Sequence, residues 1–347
     1  MSDAVAIAGA GAVSAYGVGW RGLGRAVAAG ALPLSPSTEL AASHPGVLCS
    51  AVGEVPSSLD AGDARSRKLM SRAARLGAIA TRAALLDAGF HQGREQIGAW
   101  MGVGASGAAM QDAPAILAES VREGTLSLAR LGDRGILACN PLFTFQTLNN
   151  FSLCHAAILE GLGGPNGAFF SRGAGTAAAL AEAMQSLREG SCERALAGGA
   201  DTAMHPLTWA ELVRSGLARD GFVPGEGAAV LALSCDSDRA LGFVESVTTV
   251  PDGADANALN IPRRADLAVI APWGAPCRAL LSDLLASRCA TPRTVDLTRH
   301  LGDALAATPA LAWVVALDLL SPGESALALS AGPDGCIASV LVRRGDA

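Results

Sequence analysis

Apolar segments of strand length alternate with segments of helical pattern along the whole chain, and this alternation constrains the fold more than any other feature. The strand candidates are residues 4–13, 99–103, 195–199, 268–271 and 337–342, and residues 220–233 are typical of a loop that leads into a further buried strand. The helix candidates are residues 20–29, 68–88, 108–122, 174–189, 276–287 and 311–320. Strands that are apolar throughout are typical of sheets covered on both faces, so the pattern predicts an α/β architecture with buried sheets.

Size and charge exclude several classes of function. The chain has 347 residues, enough for one large domain or two closely packed halves, and residues 235–265 are the weakest-patterned region between them. Charges interrupt every apolar run before it reaches the length of a bilayer, and the apolar start lacks the basic residues and cleavage site of a signal peptide. The net charge is −6 with no basic stripe. We therefore expect a cytoplasmic protein that binds neither membranes nor nucleic acid.

Two glycine motifs suggest nucleotide binding but fit it poorly. Gly9-Ala10-Gly11 comes at the end of the first strand candidate, yet the third glycine of the dinucleotide motif is replaced by Ser14. Residues 102–107 satisfy the glycine spacing but lack a clear acidic partner about 20 residues later. The first motif is interpreted as a tight strand-to-helix turn, and no cofactor is expected.

The cysteines do not form a metal-binding pattern. None of the eight lies in a CxxC pair, so a zinc site is not expected. In a cytosolic chain most are interpreted as small buried apolar residues.

Six segments, in order, resemble those of the β-ketoacyl synthase family. They are residues 5–13, 162–166, 197–200, 220–227, 301–320 and 338–342, of which the string Asp-Gly-Phe-Val-Pro-Gly-Glu-Gly at 220–227 is the most specific. The resemblance covers most of the chain. It implies a thiolase-like five-layer αβαβα fold of two similar halves, here residues 1–235 and a shortened 236–347. It also implies dimers and substrates carried on an acyl carrier protein.

The same resemblance implies a cysteine nucleophile at a helix start, two histidines and a supporting lysine. Gly173 occupies the cysteine position in this sequence, and glycine has no side chain with which to attack a thioester. Pro272 or Trp273 replaces the first histidine, Asp303 the second, and Thr298 the lysine. Each catalytic group is therefore predicted to be missing.

The remaining histidines offer little alternative chemistry. No histidine lies between His205 and His300, so the first catalytic histidine is absent wherever the gap is placed. Sliding His300 into the second position misaligns the following helix, so Asp303 is preferred there. Cys154-His155 is the one adjacent nucleophile–base pair, but neighbours in sequence point in different directions, so a buried structural role is favoured.

Three acidic residues near glycine-rich turns are interpreted as structural. Asp201, Asp220 and Glu226 have no partner base of known geometry, so capping or turn roles are favoured over acid–base catalysis. Glu226, flanked by glycines, is the best candidate for a hydrogen-bond hub.

Two further segments acquire roles through the resemblance. The acyl tunnel is expected to be lined by Gly107, Ala108, Ala109, Met110, Ala113 and Leu117, whose small or slender side chains predict room for a medium or long acyl chain. Phe143, Phe145 and Asn149 lie where synthases build their dimer interface, and core packing by the two phenylalanines is an equally good interpretation.

The combination resembles the chain-length factor, or ketosynthase β, of type II polyketide systems. Such a subunit pairs with an active, cysteine-bearing ketosynthase and shapes the tunnel instead of catalysing condensation. Glutamine often occupies its former cysteine position, and Gly173 departs from that, so no priming activity is assigned. One alternative is a thiolase-fold acyltransferase or hydrolase with other catalytic residues, and another is a homodimeric scaffold that binds acyl carrier protein.

Overall fold

The computed structural model describes nearly all of the chain. The described ranges are residues 4–30, 32–60, 62–105, 107, 110, 113–170, 174–219 and 221–346, with only the backbone described at 144 and 145. All structural statements below concern these residues.

Ten strands and ten helices make up the framework. The strands are β1 (Val5–Ser14), β2 (Gly98–Val103), β3 (Asn166–Phe169), β4 (Arg194–Thr202), β5 (Glu226–Ser234), β6 (Gly242–Val250), β7 (Leu267–Pro272), β8 (Thr294–Asp296), β9 (Ser325–Ala331) and β10 (Ile337–Arg344). The helices are α1 (Leu23–Ala28), α2 (Arg72–Asp87), α3 (Ala113–Ser120), α4 (Phe143–Thr147), α5 (Phe151–Glu160), α6 (Gly175–Arg188), α7 (Pro206–Arg214), α8 (Gly274–Arg288), α9 (Thr298–Leu301) and α10 (Thr308–Leu319). Shorter elements are the two-residue strands Gly17–Val18, Ser35–Pro36, Leu48–Cys49, Val121–Arg122 and Thr125–Leu126, and the short helices Ala64–Arg67 and Leu128–Arg130.

The two halves of the chain repeat one strand order. Starting from the seam between the halves, the first half runs β1, β5, β4, β2, β3, and the second runs β6, β10, β9, β7, β8. Each half therefore places its first, fifth, fourth, second and third strands side by side. In each half the outer three strands are parallel and the remaining pairings are antiparallel. The edges join where Val5–Ile7 of β1 pairs antiparallel with Gly242–Val244 of β6.

Helices cover both sheets and complete five layers. Helices α6 and α10 contribute to one apolar core together with strands of both halves, including Leu180, Leu311 and Trp313. A second core joins α2 to the outer face of the first sheet, and a third joins α8 to the outer face of the second. Helix α10 is buried on all sides, as expected of a helix with no polar face.

The glycines near the N-terminus do not form the expected turn. Gly9 and Gly11 lie inside β1, which continues to Ser14. A Cβ on Gly11 would lie 2.1 Å from the carbonyl oxygen of Ala80 in α2. The glycines therefore let a helix backbone pack directly on the strand. In a sequence, glycines that permit such a close approach look the same as the glycines of a turn. Gly102 acts in the same way within β2, where a Cβ would lie 2.1 Å from the Thr176 hydroxyl.

Other expectations differ from the structure mainly in length. Residues 195–199 form the middle of the longer β4, and the helix expected over 108–122 is confined to Ala113–Ser120 among the described residues. The weakly patterned region 235–265 contains β6, a nine-residue strand whose half-exposed positions hide its pattern. The boundary expected between residues 235 and 236 falls between β5 and β6, and its status as a domain boundary stays a prediction.

The described ranges contain neither a candidate membrane span nor a candidate metal site. No helix there is both long and apolar enough to cross a bilayer. No group of three or more His, Cys, Asp or Glu side chains in those ranges is arranged to hold a metal ion.

Candidate functional site

A cavity of about 260 Å³ lies where strands of both halves end. Its floor comes from the ends of β2 and β4, through Gly104 and Asp201, and from Trp273, which directly follows β7. Helix α7 supplies one wall with Leu212, and Leu305 from the short 3₁₀ helix Leu305–Ala307 before α10 supplies another. Parallel strands present their carboxyl ends at one edge of a sheet, the usual place for a site in α/β proteins.

Asp201 is fully buried at this edge and links the two halves. Its Oδ1 accepts a hydrogen bond from the Thr202 amide at 2.8 Å, and its Oδ2 accepts one from the Ala306 amide at 3.2 Å. Burial raises the pKa of Asp201, and the neighbouring Asp303 carboxylate also raises it, while the two amides lower it. The result is a pKa of about 7. The residue lies in a strand and not in a turn. It does have a capping role, because its Oδ2 accepts from the Ala306 amide in the short 3₁₀ helix Leu305–Ala307 that leads into α10.

Asp303 is the second buried acid of the site. Its Oδ1 accepts a hydrogen bond from the Leu305 amide at 3.0 Å and one from the Thr308 hydroxyl at 3.4 Å. Its Oδ2 is buried without a hydrogen bond of normal geometry to any described residue. Burial raises the pKa of Asp303 to about 7, although nearby amides, the Thr308 hydroxyl and the charge of Arg278 lower it.

Two of the positions predicted to have lost their catalytic groups lie close together. Thr298 and Asp303 line one small crevice with Gly274, the residue that follows Trp273. Arg278 lies between them and donates to the Thr298 hydroxyl at 2.9 Å and to Asp296 at 2.6 Å. Pro272 is the last, buried residue of β7. Their proximity is what a former catalytic centre requires, while the assignment of each position stays a prediction.

Several predicted site residues lie outside the described part of the chain. These are Gly173, Ala108, Ala109 and Asp220, and Phe145 is described only through its backbone in α4. The structure therefore adds nothing to their predicted roles.

The tunnel candidates that are described lie near a second cavity. Gly107 and Met110 line a space of about 310 Å³ together with Arg72, Gln146 and His205. Ala113 is half-buried and Leu117 is exposed on α3. Sequence reasoning missed the polar walls of this cavity, because Arg72 and His205 are distant in sequence and carry no motif.

The Cys154-His155 pair is not a catalytic dyad in this structure. Both residues lie on α5, but the His155 imidazole is buried and its Nε2 donates to the carbonyl oxygen of Leu69 at 3.2 Å. Burial lowers the pKa of His155 below its ordinary value. The imidazole therefore joins α5 to the segment before α2, as the structural interpretation expected.

Glu226 is the hydrogen-bond hub that its glycine-flanked position suggested. Its carboxylate is buried and accepts from the Val52 amide at 2.9 Å. It also receives two bonds from the Arg72 guanidinium, at 2.6 and 2.9 Å. A bidentate, charge-assisted pair of this kind holds the start of α2 against β5.

Comparisons with known proteins place the chain in a family. A family model described as the N-terminal domain of β-ketoacyl synthase matches residues 3–239. The polyketide synthase PksL of Bacillus subtilis (strain 168) is 29% identical over 117 residues, a match that covers 28% of this chain and 3% of that protein. The chain thus corresponds to only a small part of that relative's length.

Solved structures resemble the chain along almost its whole length. The ishigamide ketosynthase/chain length factor superposes with a TM-score of 0.74 at 22% identity and covers 99% of both chains. A β-ketoacyl synthase from Burkholderia phymatum STM815 gives 0.75 at 18% identity, over 99% of this chain and 100% of that one. A type II polyketide ketosynthase in complex with its acyl-carrier protein, AntDE:AntF, gives 0.73 at 14% identity with the same coverage.

The five layers and the repeated strand order define a thiolase-like protein of two similar halves, as the sequence predicted. The family match extends over more than half of the chain. The chain therefore belongs to the β-ketoacyl synthase family.

Proposed function

We propose that this chain is a non-catalytic chain-length factor that pairs with an active ketosynthase in type II polyketide or related polyene biosynthesis. The observation that carries the proposal is the set of residues at the junction of the halves. Trp273 lines the cavity there, Thr298 and Asp303 line the neighbouring crevice, and none of the three carries a thiol or an imidazole. Condensation by this family needs both kinds of group, and Gly173 supplies no side chain at the remaining position.

The exposed apolar side chains and one edge strand support binding to a partner protein. Most of the large apolar side chains exposed in the described ranges fall in one stretch: Met110, Leu117, Leu126, Leu128, Ile136, Leu137, Leu142, Leu148 and Ile158. Exposed apolar groups gathered in this way are typical of an interface. On the side of the first half, the sheet ends at strand β3. Among the described strands β3 is paired on one side only, which favours pairing with another sheet. Phe143 and Asn149 lie in the same stretch and are proposed as interface residues.

The similar structures support the nature of the partners. One is a ketosynthase/chain length factor, and another is a type II polyketide acyl-carrier protein in complex with its ketosynthase. By analogy, the partners of this chain are a cysteine-bearing ketosynthase and an acyl carrier protein that delivers the growing chain.

Co-expression tests the pairing. This chain and a cysteine-bearing ketosynthase from the same gene neighbourhood are produced together and separated by size-exclusion chromatography with mass detection. A one-to-one complex is expected. A stable homodimer of this chain that does not bind the ketosynthase would instead favour the alternative of a homodimeric scaffold.

The tunnel assignment has its own test in the assembled complex. Ala109→Trp, or Met110→Trp at the described cavity, should shorten the products because a bulky ring closes the channel earlier. Leu280→Trp on the exposed face of α8 is the control, since Leu280 lies in the other half. Product lengths are compared by mass spectrometry, and unchanged lengths in both tunnel variants would refute the assignment.

The alternative of an enzyme with different catalytic residues finds less support. The buried His155 imidazole donates to a backbone carbonyl, and among the described contacts no hydrogen bond joins it to the Cys154 thiol. Intact-mass analysis of the purified chain after incubation with an acyl donor distinguishes such an enzyme from a non-catalytic chain-length factor. A covalent acyl adduct on Cys154 would favour the enzyme.

A further inference from the structure

Two buried carboxylates hold the junction segment, residues 303–307, at the place where the halves of the chain meet. Asp201 of β4 accepts a hydrogen bond from the Ala306 amide at 3.2 Å. Asp303 accepts one from the Leu305 amide at 3.0 Å. Two consecutive amides of the second half are therefore held by one acid from each half.

The backbone of Leu305 in the junction segment is strained. Its φ is +51°, in the left-handed region that a residue with a bulky side chain rarely adopts. The residue is buried and lines the 260 Å³ cavity. The Thr176 hydroxyl also holds the segment, because it donates to the carbonyl oxygen of Ala306 at 2.6 Å. Strained residues that a few hydrogen bonds keep in place are typical of segments that switch between two conformations.

Burial makes ionisation of the two acids unfavourable while the segment is in place. Asp201 is completely buried, Asp303 is 3% exposed, and neither forms an ion pair with a described residue. The amides favour the charged forms, but burial, and for Asp201 the neighbouring Asp303 charge, outweighs them and raises both pKa values to about 7. The Asp303 Oδ2 is buried without a hydrogen bond of normal geometry to any described residue, so opening would bring its charge into water.

Few other charged or titratable groups of the described ranges face this pair. Arg278 of α8 lowers the pKa of Asp303, which nevertheless stays at about 7. Cys277 of α8 is a neutral thiol near pH 7, because burial raises its pKa. Glu211 of α7 lines the same cavity as Asp201 and adds a further acid. None of these groups supplies a positive charge that is paired with Asp201.

We propose that Asp201 and Asp303 form a proton-operated latch, which keeps the junction segment closed while the pair holds a proton and lets it open when both acids are ionised. Opening brings the carboxylates into contact with water and releases the left-handed backbone of Leu305. The cavity that Leu305 lines then changes shape with pH. The inference does not rest on the proposed heterodimer, because both acids and the segment belong to this chain.

The stability of the closed segment should fall as the pH rises. In an open segment the acids are hydrated and ionise near pH 4, whereas in the closed segment they ionise at about 7. The closed state therefore holds the extra protons, and the stabilisation that they give is lost between about pH 4 and about pH 7. One such acid changes the open fraction by about tenfold per pH unit within this window.

Hydrogen exchange of the full chain, followed by mass spectrometry with peptide fragmentation, tests the latch. The amides of Leu305 and Ala306 are compared at pH 5 and pH 7.5 after correction for the intrinsic exchange rate. Their protection should fall by about tenfold or more at the higher pH. Local opening exposes little surface, so this exchange should not respond to low urea, and amides of β4 should stay better protected at both pH values.

Asp303→Asn tests the role of the charge. The amide keeps an acceptor for the Leu305 amide but does not ionise, so the change in protection between pH 5 and pH 7.5 should shrink at least threefold. Asp283→Asn, on the exposed face of α8, is the control and should keep the full change. Thermal unfolding of each variant checks that the fold is retained.

A matched pair of variants tests the strain at Leu305. Leu305→Gly and Leu305→Ala both remove the side chain, but only glycine adopts a positive φ without penalty. The closed segment should therefore be protected at least twofold better in the glycine variant than in the alanine variant, at both pH values.

Four results would overturn the inference. They are equal corrected protection at pH 5 and pH 7.5, the full pH response in Asp303→Asn, exchange of the segment only at urea concentrations that unfold β4, and protection in Leu305→Ala equal to that in Leu305→Gly. Each of these leaves the proposed pairing untouched, since that is measured separately by co-purification.

Discussion

At the scale of single residues, the site contains two buried acids whose ionisation is unfavourable for the stability of the fold. Asp201 and Asp303 are both fully buried, and both have pKa values raised to about 7. A buried carboxylate is destabilising when it is charged, and each acid repels the other. The contacts of Asp303 make it the better probe, because its Oδ1 accepts both of its hydrogen bonds and its Oδ2 accepts none of normal geometry.

Asp303→Asn should therefore stabilise the protein at high pH. The amide keeps an acceptor at the Oδ1 position and removes the charge that burial opposes. In the unfolded chain an aspartate ionises near pH 4, whereas folded Asp303 ionises near pH 7. The native state thus holds an extra proton between these values, and stability falls as the pH rises from about 4 to about 7. Above that range the loss is constant.

The measurement is the midpoint of urea unfolding at pH 5 and pH 8. The gain of Asp303→Asn over the natural chain should be larger at pH 8, and Asp283→Asn on the exposed face of α8 serves as the control. A gain that is equal at both pH values would contradict the raised pKa of Asp303.

At the scale of elements, the glycines of β1 show what sequence patterns convey and what they hide. The apolar run correctly predicted a strand, but the glycines were interpreted as its end. A turn and a close helix crossing both require glycine, and only the position of α2 distinguishes them. Strand β6 was missed for a related reason, since its half-exposed positions remove the apolar signal. Helix α10 was predicted well because its apolar character is continuous, and α6 because its buried positions recur at helical spacing.

The close crossing predicts a sharp effect of one methyl group. In Gly11→Ala the new Cβ would lie 2.1 Å from the carbonyl oxygen of Ala80 and 2.6 Å from the amide nitrogen of Ala84, both backbone atoms of α2. Helix and strand must separate, at a cost near the upper end of about 1–3 kcal/mol for overpacking. Gly53→Ala is the control, since a Cβ there meets nothing within 4 Å. Equal urea midpoints for the two variants would show that α2 does not pack on β1 this closely.

At the scale of the whole molecule, the candidate site could be only partly foreseen. The ordered motifs predicted the fold, while the assignment of Trp273, Thr298 and Asp303 to former catalytic positions stays a prediction. The motifs did not predict the burial of Asp201. That burial arises where Asp201 of the first half contacts Ala306 of the second, and no local pattern records a contact between distant segments.

The shared core also determines how the molecule unfolds. Helices α6 and α10 belong to different halves of the chain but contribute to one continuous apolar cluster, and the seam between β1 and β6 joins the sheets. Neither half can keep its inner face buried without the other. We therefore expect a single unfolding transition, in which residues 1–235 and 236–347 lose structure together.

Trp313→Ala tests this coupling, because Trp313 is 2% exposed in the shared core. Loss of so large a buried ring should cost about 3–5 kcal/mol. Hydrogen exchange read out by mass spectrometry should show amides of β4 and of β9 losing protection at the same urea concentration, in the natural chain and, at a lower concentration, in the variant. Exchange that opens β9 while β4 stays protected would mean that the halves are independent domains. In that case the buried link from Asp201 to Ala306 would be a contact between domains that can separate.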